Sequence, residues 1–332
     1  MASSRPLEGK VVLVTGASRG IGRGIAVELA AAGAITYITA RTVTPQPGLF
    51  GTLGEAVAEA AALGGTVIAI ACDHADDAAV RTVFDRIDAE HGRLDLLVNN
   101  ATAMEDYHDS IAKPFWELSP SVWDSTMNVG LRSAFVATQM AAPLMVRQGD
   151  GLIVNVSSIG CEEYLLSVPY GACKAGLNKL THDTAIELTP HNVVVTSIWP
   201  GLVKSEPMLA VSQATPDGRM ELMGVDLCVA ETPRFSGRAV LAIATDPKRM
   251  RYAGQYLICA ELAHRYGFTD LEGNMPPVVR TNADVFTGLD EIPPLYAGLY
   301  KATLRAGEVP GSKLGIRLER GEDGKLRTAA LG

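Results

Sequence analysis

Cysteine pairing is the first thing missing from this sequence. Cys72, Cys161, Cys173, Cys228 and Cys259 are odd in number and dispersed, with no C-x-x-C pair, so neither a disulfide framework nor a zinc site is suggested and all read as reduced thiols. The histidines, at 74, 91, 108, 182, 191 and 264, show no ligand spacing either, and no metal is expected. Basic residues are outnumbered, 29 Lys and Arg against 37 Asp and Glu, and the net charge of -8 disfavours nucleic acid or an anionic membrane as a partner. No uninterrupted apolar run approaches the roughly 18 residues of a membrane span, and Met1-Ala-Ser-Ser-Arg-Pro6 has no apolar signal core. A cytoplasmic protein is the expectation. Aromatics are scarce, at 6% of a chain that is 47% hydrophobic; its 332 residues suffice for one large domain plus an extension.

What is present is regular. Short apolar runs at residues 10–15, 34–40, 66–71, 94–99, 151–157, 192–198 and 254–260 alternate with helix-like stretches near 20–32, 52–63, 75–91, 120–147, 168–190 and 232–245. Such alternation predicts an α/β fold, a Rossmann-type doubly wound parallel sheet of about seven strands with helices on both faces. Right-handed crossovers then put the strand C-terminal ends, and hence Gly16, Asn99, Ser158 and Pro200, along one edge where ligands bind.

Gly16-Ala17-Ser18-Arg19-Gly20-Ile21-Gly22 follows the apolar run ending at Thr15, and Ile21, Ile25, Leu29 and Ala32 then recur at helical spacing. Glycines at a strand-to-helix turn allow a tight bend and close approach of a pyrophosphate, while the helix N-terminus offers free N–H donors and a positive dipole end. A dinucleotide site built from backbone is the reading. Its preference is argued from charge. NAD sites of this fold commonly end the second strand with a carboxylate for the ribose 2′-hydroxyl; here Ala34 to Ala40 is followed by Arg41, and Arg19 lies in the glycine turn on the same side. Two arginines suit the 2′-phosphate of NADP, so the sequence predicts NADP(H) over NAD(H), the alternative being that both arginines are solvated surface groups. Asp73, ending the third run, is assigned to the adenine amino group, a role compatible with N-capping the helix at 75–90.

Tyr170-Gly-Ala-Cys-Lys174 carries the chemistry. A phenol protonates a carbonyl oxygen as hydride reaches its carbon only if its pKa of about 10 is pulled toward neutrality by a cation. On a helix Tyr170 and Lys174, at i and i+4, share one face, so the ammonium stabilises the phenolate. Ser158 would hold the substrate oxygen. In isolation the pattern equally describes a helix surface where the Tyr stem packs and the Lys is solvated; the glycine turn upstream favours the first reading. Cys173 invites two readings, a thiol whose alkylation stops activity or small helix packing.

On these motifs the chain resembles the short-chain dehydrogenase/reductase family over residues 7–273. The nucleotide motif runs from Thr15 through Gly22; Asn99-Asn100-Ala101-Thr102 matches the N-N-A-G element; Asn128, Ser158, Tyr170 and Lys174 match the catalytic tetrad; and Pro200-Gly201 matches the P-G element, with Val203 and Ser205 where the family touches the nicotinamide carboxamide. The stretches from Phe115-Trp116 to Arg132, from the serine to the tyrosine, and Tyr266-Gly267-Phe268-Thr269-Asp270 most resemble the branch typified by dehydrogenase/reductase family member one. The resemblance implies cofactor contacts from Gly16, Ser18, Arg19, Gly20, Ile21, Gly22, Arg41, Asp73, Asn100, Ala101, Tyr170, Lys174, Pro200, Gly201, Val203 and Ser205. It implies an NADP(H)-dependent oxidoreductase that reduces an apolar ketone, aldehyde or quinone, with Tyr170 as proton donor and Asn128 holding a water that refills the proton through Lys174. Two alternatives stand beside it: an NAD(P)-dependent secondary alcohol or hydroxysteroid dehydrogenase working oxidatively, and a non-catalytic nucleotide-binding scaffold, which has no reason to keep the tetrad complete. Ser157 is the alternative to Ser158. Pairing through the helices at 120–147 and 168–190, as in the family, implies a homodimer or homotetramer.

The chain departs from the family pattern at Thr102, in place of glycine, where altered cofactor contacts are expected, and at Ser205, in place of a common threonine, where the hydroxyl is kept. Residues 42–54 form a Pro/Gly loop beside the adenosine end of the cofactor, either a cover or a mobile loop. Residues 101–118, with Tyr107, His108, Phe115 and Trp116, lead toward Asn128. Residues 204–230, with Met208, Leu209, Met220, Leu222 and Met223, read either as an adaptable flap for an apolar substrate or as a helix packed on its own domain. Trp116, Tyr164, Leu165, Val168, Leu202 and Met208 are the candidate substrate contacts. Residues 274–332, with Pro276-Pro277, Pro293-Pro294 and Pro310, show no clear strand or long apolar helix. They read as an extension docked on the catalytic domain or a neighbouring subunit, loose over its last dozen residues.

Overall fold

A computed structural model of the chain describes residues 5–45, 47, 50–103, 113–162, 164–215, 220–222, 225–227, 230–271, 273–278, 316–320 and 326–330. Strands β1 (Val11–Thr15), β2 (Ile35–Ala40), β3 (Thr66–Ala71), β4 (Leu96–Asn99), β5 (Gly151–Val156), β6 (Val193–Trp199) and β7 (Tyr256–Ile258) make one sheet in the order β7-β6-β5-β4-β1-β2-β3. Every pairing in it is parallel. The order reverses between β1 and β4, so the chain ends leaving these two strands open a crevice at their C-terminal side.

Helices α1 (Gly20–Ala31), α2 (Leu53–Ala62), α8 (Pro233–Thr245) and α9 (Cys259–Tyr266) cover one face of the sheet. Helices α3 (Asp77–His91), α5 (Ser133–Gln148) and α6 (Val168–Leu188) cover the other. The alternation of β1 decides the division: Val12 and Val14 pack with Ile25, Leu29 and Val240, while Val11 and Leu13 pack with Val83, Phe84 and Val136. Both faces are buried, which is why the strands read as continuous apolar runs.

Local chemistry sets the helix ends. Thr52 accepts from the Glu55 amide ahead of α2, and Ser167 accepts from the Tyr170 amide ahead of α6, whose first turn also holds Pro169. Asp76, not Asp73, caps α3: its Oδ1 accepts from the Ala78 and Ala79 amides, while Asp73 Oδ1 closes a tight turn onto the Ala75 amide at 2.9 Å. The helix at 120–147 is not continuous either. α4 (Pro120–Met127) passes into a π-turn over Asn128–Arg132 before α5 begins, a widening that sets Asn128 at the break. The stretch Pro120–Gln148 has the length and apolar composition of a membrane span, yet half of its most apolar 18-residue window is buried, with Val136, Ala137, Ala141, Leu144 and Met145 in the core beneath the sheet.

Beyond β6 a short helix, α7 (Glu206–Val211), leads into a small antiparallel sheet of Gln213–Ala214, Met220–Leu222 and Val225–Asp226. The expectation of no strand after residue 273 fails at one place: Ile316–Arg320 pairs antiparallel with Leu326–Ala330, so the last dozen residues include half of a hairpin. Its first strand alternates Ile316 and Leu318 with Arg317 and Glu319, the period of a strand, in a run too short to stand out beyond the prolines before it. Pro293-Pro294 and Pro310, with the rest of 279–315, lie outside the described residues, as do Tyr107, His108, Met223 and Cys228.

Candidate active site

Tyr170 stands in the first turn of α6 and Ser158 just past the end of β5, and the tertiary fold brings the phenol to 2.9 Å from Ser158 Oγ. Ser158 Oγ also accepts from the Gly160 amide at 3.0 Å, which holds the hydroxyl in place. A Cβ on Gly160 would fall 2.7 Å from the Tyr170 ring, so only glycine lets this turn lie against the phenol. Ser157 faces the other way, its Oγ directed to the Lys174 carbonyl, because consecutive residues at a strand end point to opposite sides. Lys174 lies one helical turn beyond Tyr170, with its Nζ 5.6 Å from the phenol ring centroid and donating to the Val156 carbonyl at 2.8 Å. Burial holds the Lys174 ammonium below its ordinary value, while the Val156 carbonyl and a phenolate at Tyr170 both favour the charged form.

The glycine turn is the second half of the site. Gly16, at φ +65, passes so close to Ala101 that a Cβ would lie 2.7 Å from its Cα. A Cβ on Gly22 would lie 2.6 Å from the Gly16 carbonyl oxygen and nearer still to the Asn100 amide. Asn100 is spent on this turn, donating to the Thr15 and Gly16 carbonyls at 2.9 Å each, and Thr15 Oγ1 in return accepts from the Asn100 and Ala101 amides. Thr102 lies near the π-turn, its Oγ1 3.7 Å from where a Cβ on Gly130 would stand. Gly20, by contrast, opens onto space bounded by Ser205 Cβ at 3.6 Å.

An anion already tests the chemistry of this opening. The Gly20 N–H donates to Glu206 Oε2 at 2.7 Å, and Arg23 Nη1 stands 3.6 Å from Oε1. The carboxylate occupies the donor that a phosphate oxygen would take at the N-terminus of α1, so the residues present fit an anionic dinucleotide. Past the end of β2, Arg19 Nη2 donates to Thr42 Oγ1 at 2.9 Å, the residue next to exposed Arg41 in the chain. The 42–54 loop returns onto this turn at Gly51, whose Cβ position is 2.5 Å from the Ser18 carbonyl oxygen. Ser18 is buried, Ile21 packs on the core, and Asp73 is followed by His74, whose Nε2 bonds Thr39 Oγ1 at 2.7 Å. Burial pulls His74 down to about 4, so it is neutral at physiological pH.

The third wall is the turn after β6. Pro200 and Val203 are buried; the Ser205 amide donates to the Val203 carbonyl at 2.7 Å, and the Ser205 hydroxyl makes no cap bond to α7. Leu202 and Met208 pack with Leu227 and Ala230 in a small cluster of their own, so this part of the 204–230 segment is docked. Trp116 is 60% exposed, edge-on to Phe115 at 5.3 Å between centroids, and Val168 is exposed at the start of α6. Tyr164 is half-buried, with its phenol raised by burial. Cys173 is buried with Sγ toward the Thr126 carbonyl, and burial raises its thiol against the opposing charge of Lys174, which favours the packing reading. None of Cys72, Cys161, Cys173 and Cys259 forms a disulfide, and no cluster of metal-ligating side chains exists among the described residues.

Residues 10–216 match the family model for short chain dehydrogenases. The chain belongs to this family. It is 42% identical over 273 residues to dehydrogenase/reductase SDR family member 1 of Mus musculus, a match covering 81% of this chain and 85% of that protein. A metagenomic short-chain oxidoreductase solved in complex with NADP matches with a TM-score of 0.61 and 30% identity, over 76% of this chain and 97% of that one. A short-chain type dehydrogenase/reductase from Mycobacterium marinum matches with a TM-score of 0.62 and 26% identity, over 77% and 95%.

Within this short-chain dehydrogenase, sequence reasoning missed Gly160 and Glu206. Gly160 lies between Ser158 and Tyr170 and carried a readable signal, a glycine close to the serine. Glu206 carried none, because an acid near a helix start ordinarily reads as a dipole partner.

Proposed function

We propose that the protein is an NADP(H)-dependent carbonyl reductase, acting on an apolar ketone, aldehyde or quinone. The observation that carries the reading is the Tyr170 hydroxyl 2.9 Å from Ser158 Oγ with the buried Lys174 ammonium beside the same ring. Gly16, Gly20, Ile21 and Gly22 would hold the pyrophosphate, Arg19 and Arg41 the 2′-phosphate, and Pro200, Gly201, Val203 and Ser205 the carboxamide. When bound, NADPH supplies a hydride to the carbonyl carbon. Ser158 donates a hydrogen bond to the carbonyl oxygen, and Tyr170 gives that oxygen its proton as charge develops there. Lys174 stabilises the resulting phenolate in a site from which its own burial excludes water. Asn128, at the break before α5, is assigned to the water that returns the proton. Apolar Leu202 and Met208, with exposed Trp116, favour an apolar substrate. Exposed Phe135 on α5 and Ile186 on α6 favour pairing of subunits through these helices.

Tyr170→Phe removes the hydroxyl and keeps the ring. Turnover of a ketone and quinone panel, followed by NADPH absorbance, is expected to fall by about 10²–10⁴-fold, while NADPH binding stays within about threefold. A variant that turns over like the wild type refutes the assignment.

A further inference from the structure

The loop after β2 is seated on the glycine turn through one side chain, that of Arg19. Its neck is closed where the Leu53 amide donates to the Thr42 carbonyl at 3.0 Å, and Leu53, 2% exposed, packs in the core with Ala56. Beyond the neck, Thr52 Oγ1 accepts from the Glu55 amide at 3.1 Å, and Arg23 on α1 pairs with Glu59 at 2.7 Å and Glu55 at 3.3 Å, so α2 is tied to α1. The glycine turn is tied to β2 as well, by the Ala17 amide donating to the Thr39 carbonyl at 3.0 Å. Between these fixed points Arg19 is gripped at both ends. At its base, Gly51, at φ +73, lies so close that a Cβ there would be 2.8 Å from Arg19 Cβ and 2.5 Å from the Ser18 carbonyl oxygen. At its tip, Nη2 donates at 2.9 Å to the hydroxyl of Thr42, a buried residue.

We propose that Thr42 and Gly51 are positioning residues for cofactor selection: they hold the Arg19 side chain in place before the cofactor arrives, and so set the preference for a 2′-phosphate over a 2′-hydroxyl. The inference rests on the reading that Arg19 receives that phosphate. A loose arginine gives up its rotamer freedom when the guanidinium closes on an anion, which weakens binding about two- to tenfold. Here folding has already removed that freedom, because a buried hydroxyl and a glycine backbone fix the two ends of the stem. The acceptor matters too. Thr42 is uncharged, so its bond orients the guanidinium and leaves the positive charge for the phosphate. Arg23, one helical turn on, shows the contrast, since its charge is met by the carboxylates of Glu55, Glu59 and Glu206. Thr42 and Gly51 act through Arg19, and NADH, which offers it no 2′-phosphate, gains nothing from them.

The test is the ratio of the Kd for NADH to the Kd for NADPH, two ligands that differ only in the 2′-phosphate, measured by calorimetric titration of the full chain. Thr42→Val keeps the shape and removes the acceptor. It is expected to lower the ratio about three- to tenfold, through weaker NADPH with NADH changed by less than about twofold. Thr42→Ser keeps the hydroxyl and is expected to hold the ratio within about twofold of wild type. Gly51→Ala presses a methyl group on Arg19 Cβ and is expected to lower the ratio about threefold or more; any shift of the Ser18 carbonyl falls on both ligands alike and cancels. A loop that only supported the fold would weaken both ligands together. An unchanged ratio in Thr42→Val, or in Gly51→Ala should Thr42→Val fail to fold, therefore overturns the proposal, as does a Thr42→Ser that loses as much as Thr42→Val. A wild type that binds NADH as tightly as NADPH instead overturns the reading that Arg19 receives a 2′-phosphate.

Discussion

Replacing Gly22 by alanine puts a methyl group where two groups already meet. The added Cβ lies 2.6 Å from the Gly16 carbonyl oxygen and closer to the Asn100 amide, whereas ordinary contact begins at 3.4 Å. The Gly16 oxygen belongs to a backbone turn at φ +65 and has little room to yield. If the Asn100 amide swings aside it loses its bonds to the Thr15 and Gly16 carbonyls, at about 1 kcal/mol each. If α1 lifts instead, Ile25 and Leu29 are drawn from the core, and overpacking of this kind costs about 1–3 kcal/mol. Either route gives a loss within about 1–3 kcal/mol, or about 2–12 °C in Tm at the roughly 2–4 °C per kcal/mol of a domain of this size. Urea denaturation followed by far-ultraviolet circular dichroism measures it, and NADPH titration of the same protein is expected to show weakening of about tenfold or more as the α1 amides move. Gly20→Ala is the control, with its nearest neighbour at 3.6 Å but φ +55; it is expected to cost only the about 1–2 kcal/mol of a left-handed alanine. Stability of Gly22→Ala within about 0.5 kcal/mol of wild type, with unchanged NADPH affinity, refutes the reasoning.

Arg41→Ala is expected to raise the KM for NADPH by about tenfold or more and to leave that for NADH within about twofold; equal changes for both would mean that Arg41 does not read the 2′-phosphate. Glu206→Gln withdraws the carboxylate from the Gly20 amide, so NADPH is expected to bind about two- to fivefold tighter at low salt; unchanged or weaker binding would show that Glu206 does not compete with the phosphate. Asp95, 7% exposed, resists the rise that burial alone would cause, and hydrogen bonds from Arg93, the Val11 amide and Lys10 hold its carboxyl below the ordinary value. A depressed pKa contributes stability that is present above about pH 4 and lost as pH falls through the folded value. Asp95→Asn is therefore expected to flatten the acid side of the urea-midpoint curve, and parallel curves for variant and wild type would contradict it.

The elements that depend on local periodicity were readable from residue order. The seven strands and the helices expected near 20–32, 52–63, 75–91, 168–190 and 232–245 lie within a few residues of the runs that predicted them, because burial on both sheet faces demands continuous apolar strands and one-sided helices. The departures arise where a local signal was ambiguous. Asp73 and Asp76 are both acids ahead of one helix, and only the chain path decides which reaches the free amides. Asn128 lies among residues of middling helix propensity, between Thr126 and Gly130, and that composition does not distinguish a π-turn from a continuous helix.

The order of residues alone determined the parallel α/β sheet, the glycine turn between β1 and α1, and the shared face of Tyr170 and Lys174, since each depends on spacings within one or two elements. Tertiary structure decided which serine meets the phenol, which carboxylate stands at the α1 N-terminus, and that Glu231 pairs with Val203 in the turn after β6. The physical reason is common to all three. A side chain's chemistry is written in the sequence, but its partner is set by how separate elements dock, and these partners come from segments that only the folded sheet edge brings together.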